Sequence, residues 1–260
     1  MNFTLLFDLS SMLFVLISIV VSFIIFGKHP LQALKLAKDL AISIGVSGSL
    51  LGFVSVLSHL EDSKSLGPAV SIALLPLIYG IILSGVLYLF TRAIPHSESA
   101  EPTSSKWTFM GCGLLISAQL AHFMMTNHIS FEASIALLLE FQSFIIMGIS
   151  TFGIARITAT NTRERLIMAS RYALPLALLL ILCSCCVMIA EWGDPSKLGP
   201  ALAFGILSLW YANLIYQCAQ LSHRAQYAET LPRSSQTNIA LIMVTVVVII
   251  GSHLMLLNTF

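Results

Sequence analysis

The chain has 260 residues, 57% of them hydrophobic and only 10% charged, with a formal net charge of +1 and a mean hydropathy of +0.91. A soluble domain carries about 25% charged residues, so this composition points to an integral membrane protein, and no nucleic-acid partner is expected. The apolar runs are about 20 residues long, as membrane-crossing helices require, rather than the alternating segments of roughly ten that build barrels.

Eight spans are predicted, at roughly 9–27, 40–58, 69–91, 108–126, 133–155, 172–190, 199–221 and 238–257. The expected fold is an all-α, polytopic membrane bundle with no room for a soluble domain. No basic residue precedes Lys28, which argues for a retained first span rather than a cleaved signal. Asp8 stands at the head of that span. The second span carries Gly45, Gly48 and Gly52, with Ser49 beside them; spacings of three and four put the glycines on one face and permit close backbone contact. The acidic turn Glu61-Asp62 follows. Gly67-Pro68 is expected to open the third span, where proline is tolerated because a first-turn amide has no helical partner. The nearby acids suit the helix dipole.

The fourth span ends near His122, which with His59 and His253 is expected close to the external ends of helices. The fifth contains Glu140. A charge at the bilayer centre costs at least about 2.5–3.5 kcal/mol, so Glu140 is either a proton-binding acid facing the bundle or, like Asp8, an interfacial acid that begins a helix. In the second case "FEASIALLL" serves as its lead-in. The sixth span holds "CSCC". All five cysteines fall in predicted spans without metal-site spacing, which points to small-residue packing rather than disulfides or a metal. Trp107, Trp192 and Trp210, with Tyr88 and Tyr172, fit interface anchors.

Basic residues set the topology. Lys28, Lys35, Lys38, Arg92, Lys106, Arg156, Arg163, Arg165, Arg171, Arg224 and Arg233 fall on one side, eleven of the thirteen Lys and Arg residues. Lys64 and Lys197 fall on the other. The positive-inside rule puts the eleven in the cytoplasm and both termini in the periplasm or exterior.

An internal repeat organises the chain. "LEDSKSLGPAVSIALLPLIYG", from Leu60, aligns without a gap to "WGDPSKLGPALAFGILSLWYA", from Trp192, at an offset of 132. Asp62 meets Asp194, Gly67-Pro68 meets Gly199-Pro200, and Tyr79 meets Tyr211. Asp8 meets Glu140, and Ser11 meets Ser143. Residues 1–130 and 131–260 therefore read as two four-helix units. Four helices separate equivalent points, so the units share one orientation, as parallel repeats.

The stretch from Gly45 to Gly80 resembles the third and fourth transmembrane helices of the MotA/TolQ/ExbB superfamily, the flagellar stator subunits and their relatives. That pattern runs Gly-x-x-Gly-Thr-x-x-Gly, an Asp-Pro turn, Gly-Pro-Ala, then an apolar run ending in Tyr-Gly. Gly45, Gly48, Gly52, Asp62, Gly67, Pro68, Ala69, Tyr79 and Gly80 match, and Ser49 keeps the hydroxyl of the Thr position. The second unit matches more weakly but keeps the Asp-Pro turn as Asp194-Pro195. There is no segment for the large cytoplasmic domain of MotA proteins. The hydroxyl pair before Tyr-Gly is replaced by Pro76-Leu77 in one unit and Ser208-Leu209 in the other. Leu180-Ile181 stand where the first unit has Gly48-Ser49.

The resemblance implies a bacterial inner-membrane, multi-pass subunit, assembled as an oligomer in lipid around a single-span MotB/ExbD/TolR-like partner. It would be the channel-forming or scaffold half of an ion-driven complex. It implies no cofactor beyond a proton or sodium ion, and Ser49, Ser208, Glu140 and Asp8 are the ion-path candidates. A secondary transporter with parallel repeats, broken at Pro76 and Pro175, and a non-conducting membrane scaffold are the alternatives. No nucleophile, phosphate loop or His-Glu-x-x-His motif suggests an enzyme.

Overall fold

The computed structural model describes residues 8–27, 29–57, 63–94, 105–127, 130–158, 162–190 and 195–227, with single residues at 243, 245 and 247. The described residues form α1 (Leu9–Phe26), α2 (Pro30–Leu57), α3 (Ser63–Ala93), α4 (Ser105–Asn127), α5 (Phe131–Leu138), α6 (Phe141–Thr158), α7 (Thr162–Ala190) and α8 (Pro195–Tyr227). Six are long and apolar enough to cross a membrane, and a seventh span exists if α5 and α6 count as one. The chain is a multi-pass, all-α membrane protein. The predicted eighth span lies outside the described residues, except that Met243, Thr245 and Val247 are helical.

Three boundaries differ from expectation for physical reasons. The loop expected over 28–39 is mostly helix, because Pro30 is pre-set for a first helical turn and α2 runs from it. Likewise α7 starts at Thr162, ten residues before the predicted start at 172. A helix does not stop where the hydrocarbon stops; it continues while long basic side chains reach water. Lys38 on α2 and Arg92 on α3 both lie over the Tyr88 ring, at 5.8 and 5.1 Å from its centroid, anchoring that end of the pair.

Gly67-Pro68 does not open the third helix. α3 begins at Ser63, so Pro68 lies inside it, and Pro200 holds the same place in α8, which begins at Pro195. The fifth span is not one straight helix. Its two pieces meet at Leu139-Glu140 with a 58° bend, so α5 is the lead-in and Glu140 stands at the head of α6. α1 and α6 start at Leu9 and Phe141, α2 and α7 at Pro30 and Thr162, and α3 and α8 at Ser63 and Pro195. Each difference is 132 residues, the offset of the sequence repeat.

α2 packs along α3, and α7 along α8; α1 and α6 lean on α2 and α7. The halves meet where α2 lies against α8, with α4 closing over both. The larger apolar cluster runs through this junction, from Leu50 and Phe53 on α2 to Leu207, Leu209 and Tyr211 on α8.

Candidate functional site

The α2–α3 seam carries the residues that the sequence singled out, and its geometry explains them. A β-carbon added at Gly45 would lie 2.6 Å from the Pro76 carbonyl oxygen, and one at Gly80 would lie 2.6 Å from that of Ala41. Both neighbours are backbone and cannot swing aside. A β-carbon at Gly48 would meet the Pro76 ring and the Phe14 ring, and one at Gly52 would sit 3.0 Å from the Ala73 Cα. Gly45, Gly48, Gly52 and Gly80 thus let two backbones touch. Gly67 does not belong with them, since nothing among the described residues lies within 4 Å of its added β-carbon.

Ser49 is fully buried in this seam, and its hydroxyl accepts a hydrogen bond from the Leu77 amide at 3.1 Å. Pro76, just before Leu77, has no amide proton to give, so the local helix ladder is already interrupted. Ser49 supplies an acceptor across the seam where the ladder is weakest. Pro76 does not break α3, and Pro175 does not break α7; both helices run on through them. The broken-helix geometry of a transporter site is therefore absent at these two positions.

In the α7–α8 seam the same contact is made with the small residue moved to the other helix. Gly205 lies where the first half has Ala73, and its added β-carbon would be 3.1 Å from the Ser184 side chain, which stands where the first half has Gly52. Ser184 donates to the Ala201 carbonyl. Ala177 and Ala212, both buried, stand at the Gly45 and Gly80 positions. Sequence reasoning missed this exchange, because it looked for glycines at fixed positions rather than one small residue per contact. Ser208, at the Pro76 position, is buried and donates to the Phe204 carbonyl at 2.8 Å.

Both acids begin helices. Asp8 caps α1: its carboxylate accepts from the Ser10 amide at 3.3 Å, the Ser11 amide at 3.0 Å and both serine hydroxyls. Burial acts to raise the Asp8 pKa, but the hydrogen bonds from Ser11 and Ser10 outweigh it and hold it below the usual carboxylate value. Glu140 accepts from the Ser143 amide at 3.1 Å and from the Ser143 hydroxyl. Each acid is tied to its half's third helix. The Tyr79 hydroxyl accepts from the Asp8 amide at 3.0 Å, and the Tyr211 hydroxyl donates to the Leu138 carbonyl just ahead of Glu140.

Asp8 also lines a cavity of about 370 Å³ between α1, α2, α3 and α4, together with Ser11, Gly52, Ser55, His122 and Thr126. The His122 ring stacks on Phe14 with centroids 4.2 Å apart. Asp8 is the ion-path candidate that this cavity brings beside further polar groups; the Ser49 hydroxyl is bonded across the α2–α3 seam and the Ser208 hydroxyl to its own helix. Replacing Asp8 with Ala should cost about 1 kcal/mol, whereas Asn, itself a good cap, should cost a few tenths. The sign of the pH dependence follows from the lowered pKa. The cap's ionic contribution is complete above the unfolded value of 3.8 and is lost as pH falls through the lower folded value. Unfolding of detergent-solubilised protein across that range should show the loss in the native chain and not in Asp8→Asn.

Between the halves lies a polar network that the sequence reading did not anticipate. Asn213 on α8 donates to the Ser43 carbonyl at 2.7 Å and the Ser47 hydroxyl at 2.8 Å, and accepts from the Ser43 hydroxyl at 2.7 Å. Gln217 donates to the same carbonyl and hydroxyl, each at 3.0 Å. Gln119 of α4 donates to Gln217 at 2.6 Å and accepts from the Trp210 indole at 2.8 Å. Trp210 is therefore not an interface anchor; it is buried and bonded inside the bundle. A sequence signal existed: Asn213 and Gln217 are polar residues four apart in an apolar span, hence on one face.

Asp62 and Asp194 lie outside the described residues, as do His59, His253 and Trp192; Pro195 and Pro200 lie in α8, with Pro200 exposed and Gly199 buried. Cys183 and Cys186 are exposed on α7, so the packing contact in "CSCC" is made by Ser184.

No protein-family model matches the chain, and no solved structure does. Three curated relatives match part of it. The chemotaxis protein PomA of Vibrio alginolyticus is 44% identical over 50 residues, 19% of this chain and 20% of PomA. Motility protein A of Cereibacter sphaeroides is 38% identical over 56 residues, 22% of each chain. Motility protein A of Borreliella burgdorferi is 37% identical over 68 residues, 25% of this chain and 26% of the relative. The matches thus span about a fifth to a quarter of these relatives. Part of this chain is similar to motility proteins of the MotA/PomA type, none of which is named as an enzyme.

Proposed function

We propose that this protein is an inner-membrane subunit of an ion-driven complex, built from two tandem MotA-like units, residues 1–130 and 131–260. It forms the scaffold against which a single-span MotB/ExbD/TolR-like partner works, with proton or sodium ion as the driving ion. The eleven-to-two split of basic residues orients it with both termini in the periplasm. The common 132-residue offset of three helix starts supports the tandem reading. So does the Gly52–Ala73 contact reappearing as Ser184–Gly205.

The observation that carries the functional reading is the α2–α3 seam. It concentrates the motif residues of the stator helices, yet it is closed: backbone meets backbone at Gly45 and Gly80, and the Ser49 hydroxyl is engaged. An ion has no passage within this pair. The path is completed at the surface of the pair by a partner that brings its own acid, which accords with the absence of Asp and Glu from α2 beyond Asp39 and from α3. The test is co-purification. A single-span protein with a membrane Asp, expressed beside this chain, should stay bound through detergent extraction; a chain that purifies alone when every such neighbour is co-expressed contradicts the proposal.

A further inference from the structure

We infer that Cys112 on α4 and Cys218 on α8 form an oxidation site, a thiol pair that hydrogen peroxide converts to a disulfide, tying α4 to α8 at the junction between the halves. The inference rests on the packing of these two helices and not on the stator resemblance.

The two cysteines lie far apart in the chain, and their spacing gives no sign of pairing. Packing brings them together. Gln119 sets the register, because it is bonded to the Trp210 indole at 2.8 Å and to Gln217 at 2.6 Å. An odd number of crossings separates α4 from α8, so the two helices run antiparallel. Stepping back two turns from Gln119 and forward two turns from Trp210 therefore stays level in the bundle. Those steps end at Cys112 and Cys218. Cys112 also packs on the apolar cluster that holds Leu115 of α4 and Leu221 of α8, and the two thiols are hydrogen-bonded to each other. The remaining cysteines are placed differently: Cys183, Cys185 and Cys186 share α7, and Cys183 and Cys186 are exposed.

Cys112 and Cys218 are both half-buried, so a small neutral oxidant can reach them. A thiol in apolar surroundings is slow to react alone, because the thiolate is the nucleophile. Here the neighbouring S–H is in place to hydrogen-bond the sulfur that gives up its proton, and the same neighbour then resolves the product. The Cys112 sulfur attacks peroxide: a sulfur–oxygen bond forms, the oxygen–oxygen bond breaks, and water leaves with the Cys112 proton. The Cys218 sulfur then displaces the hydroxyl of this sulfenic acid, which departs with the Cys218 proton as a second water. Two electrons pass from the thiols to peroxide. The new bond is about 2.05 Å long, so closing it draws α4 onto α8 beside Gln119 and Gln217.

The test uses the full chain in native membranes, carrying Cys183→Ser, Cys185→Ser and Cys186→Ser. After peroxide, denaturation and maleimide labelling should find both remaining thiols blocked, and dithiothreitol should restore both. Non-reducing electrophoresis should show a reducible monomer of altered mobility and no dimer. With Cys218→Ser added, Cys112 should stop at the sulfenic acid and be captured by dimedone. Thiols that stay open to maleimide after peroxide, a loss that dithiothreitol does not reverse, or a disulfide-linked dimer would each overturn the inference. Should the triple variant fail to fold, the native chain gives a second measurement. After peroxide and proteolysis, mass spectrometry should find the peptides of Cys112 and Cys218 joined as the main disulfide; a predominance of links to the α7 cysteines would overturn the inference.

Discussion

Gly45→Ala should destabilise the folded chain by about 2 kcal/mol or more, a large effect for one methyl group. The added carbon would sit 2.6 Å from the Pro76 carbonyl oxygen and 3.2 Å from the Cα atoms of Leu77 and Gly80. None of these atoms is the end of a flexible side chain, so α2 and α3 must separate along the seam. Overpacking typically costs about 1–3 kcal/mol, and a backbone-to-backbone clash falls in the upper part of that range. Gly113 supplies the contrast, with nothing among the described residues within 4 Å of where its β-carbon would go. Gly113→Ala should be neutral or stabilising by up to about 1 kcal/mol, the difference in helix propensity. Denaturation of the two variants in mixed micelles measures both effects, and equal stability of the two would contradict the seam geometry.

Asn213→Leu should weaken the junction between halves by about 2 kcal/mol. Asn213 makes three hydrogen bonds to Ser43 and Ser47. Leu would leave the Ser43 hydroxyl without its acceptor and would crowd a site that is 0% exposed. Single interhelical hydrogen bonds in membranes are modest, on average about 0.6 kcal/mol, so the size of the effect comes from losing three at once and burying the groups left behind. Gln217→Leu alone should cost less, because Ser47 would keep Asn213. The double variant should exceed the sum of the singles, since either side chain alone still serves the shared Ser43 carbonyl and Ser47 hydroxyl, and only the double leaves both unpaired. Full additivity would show that the two act independently and would count against a shared network.

The fold was legible in the sequence where one property decided it. Length and apolarity located α1 and α4 to within about three residues at each end, and α3 and α8 to within about six. Glycine spacing gave the contact face of α2, and an unbroken offset paired Tyr79 with Tyr211 before their hydroxyls were seen to tie down equivalent helix starts. The early starts of α2 and α7 were not legible, because a hydropathy window registers the hydrocarbon edge and not the end of the hydrogen-bond ladder. The bend at Leu139 was not legible either: "SIALLLE" reads as continuous apolar helix until Glu140 turns to cap α6. The Asn213–Gln217 network was missed for a different reason. Searching spans for charge passes over amides, although a buried amide in an apolar helix also needs a partner.

The candidate site was legible as motif and not as mechanism. Ser49 and Ser208 stand where the stator pattern has hydroxyls, and residue type alone made them ion ligands. Their observed partners are the Leu77 amide across the α2–α3 seam for Ser49 and the Phe204 carbonyl one turn back on the same helix for Ser208. Asp8 gains from the structure instead, since its cavity with His122 and Thr126 joins elements far apart in sequence.

Ion flux through reconstituted liposomes tests the account most directly. The chain alone should hold a proton or sodium gradient as well as empty liposomes do, because its motif seam is closed. Together with the co-purifying single-span partner it should dissipate that gradient, and replacing the partner's membrane Asp with Asn should stop the flux. Flux from the chain alone, or a stable complex with the partner that conducts neither ion, would contradict it.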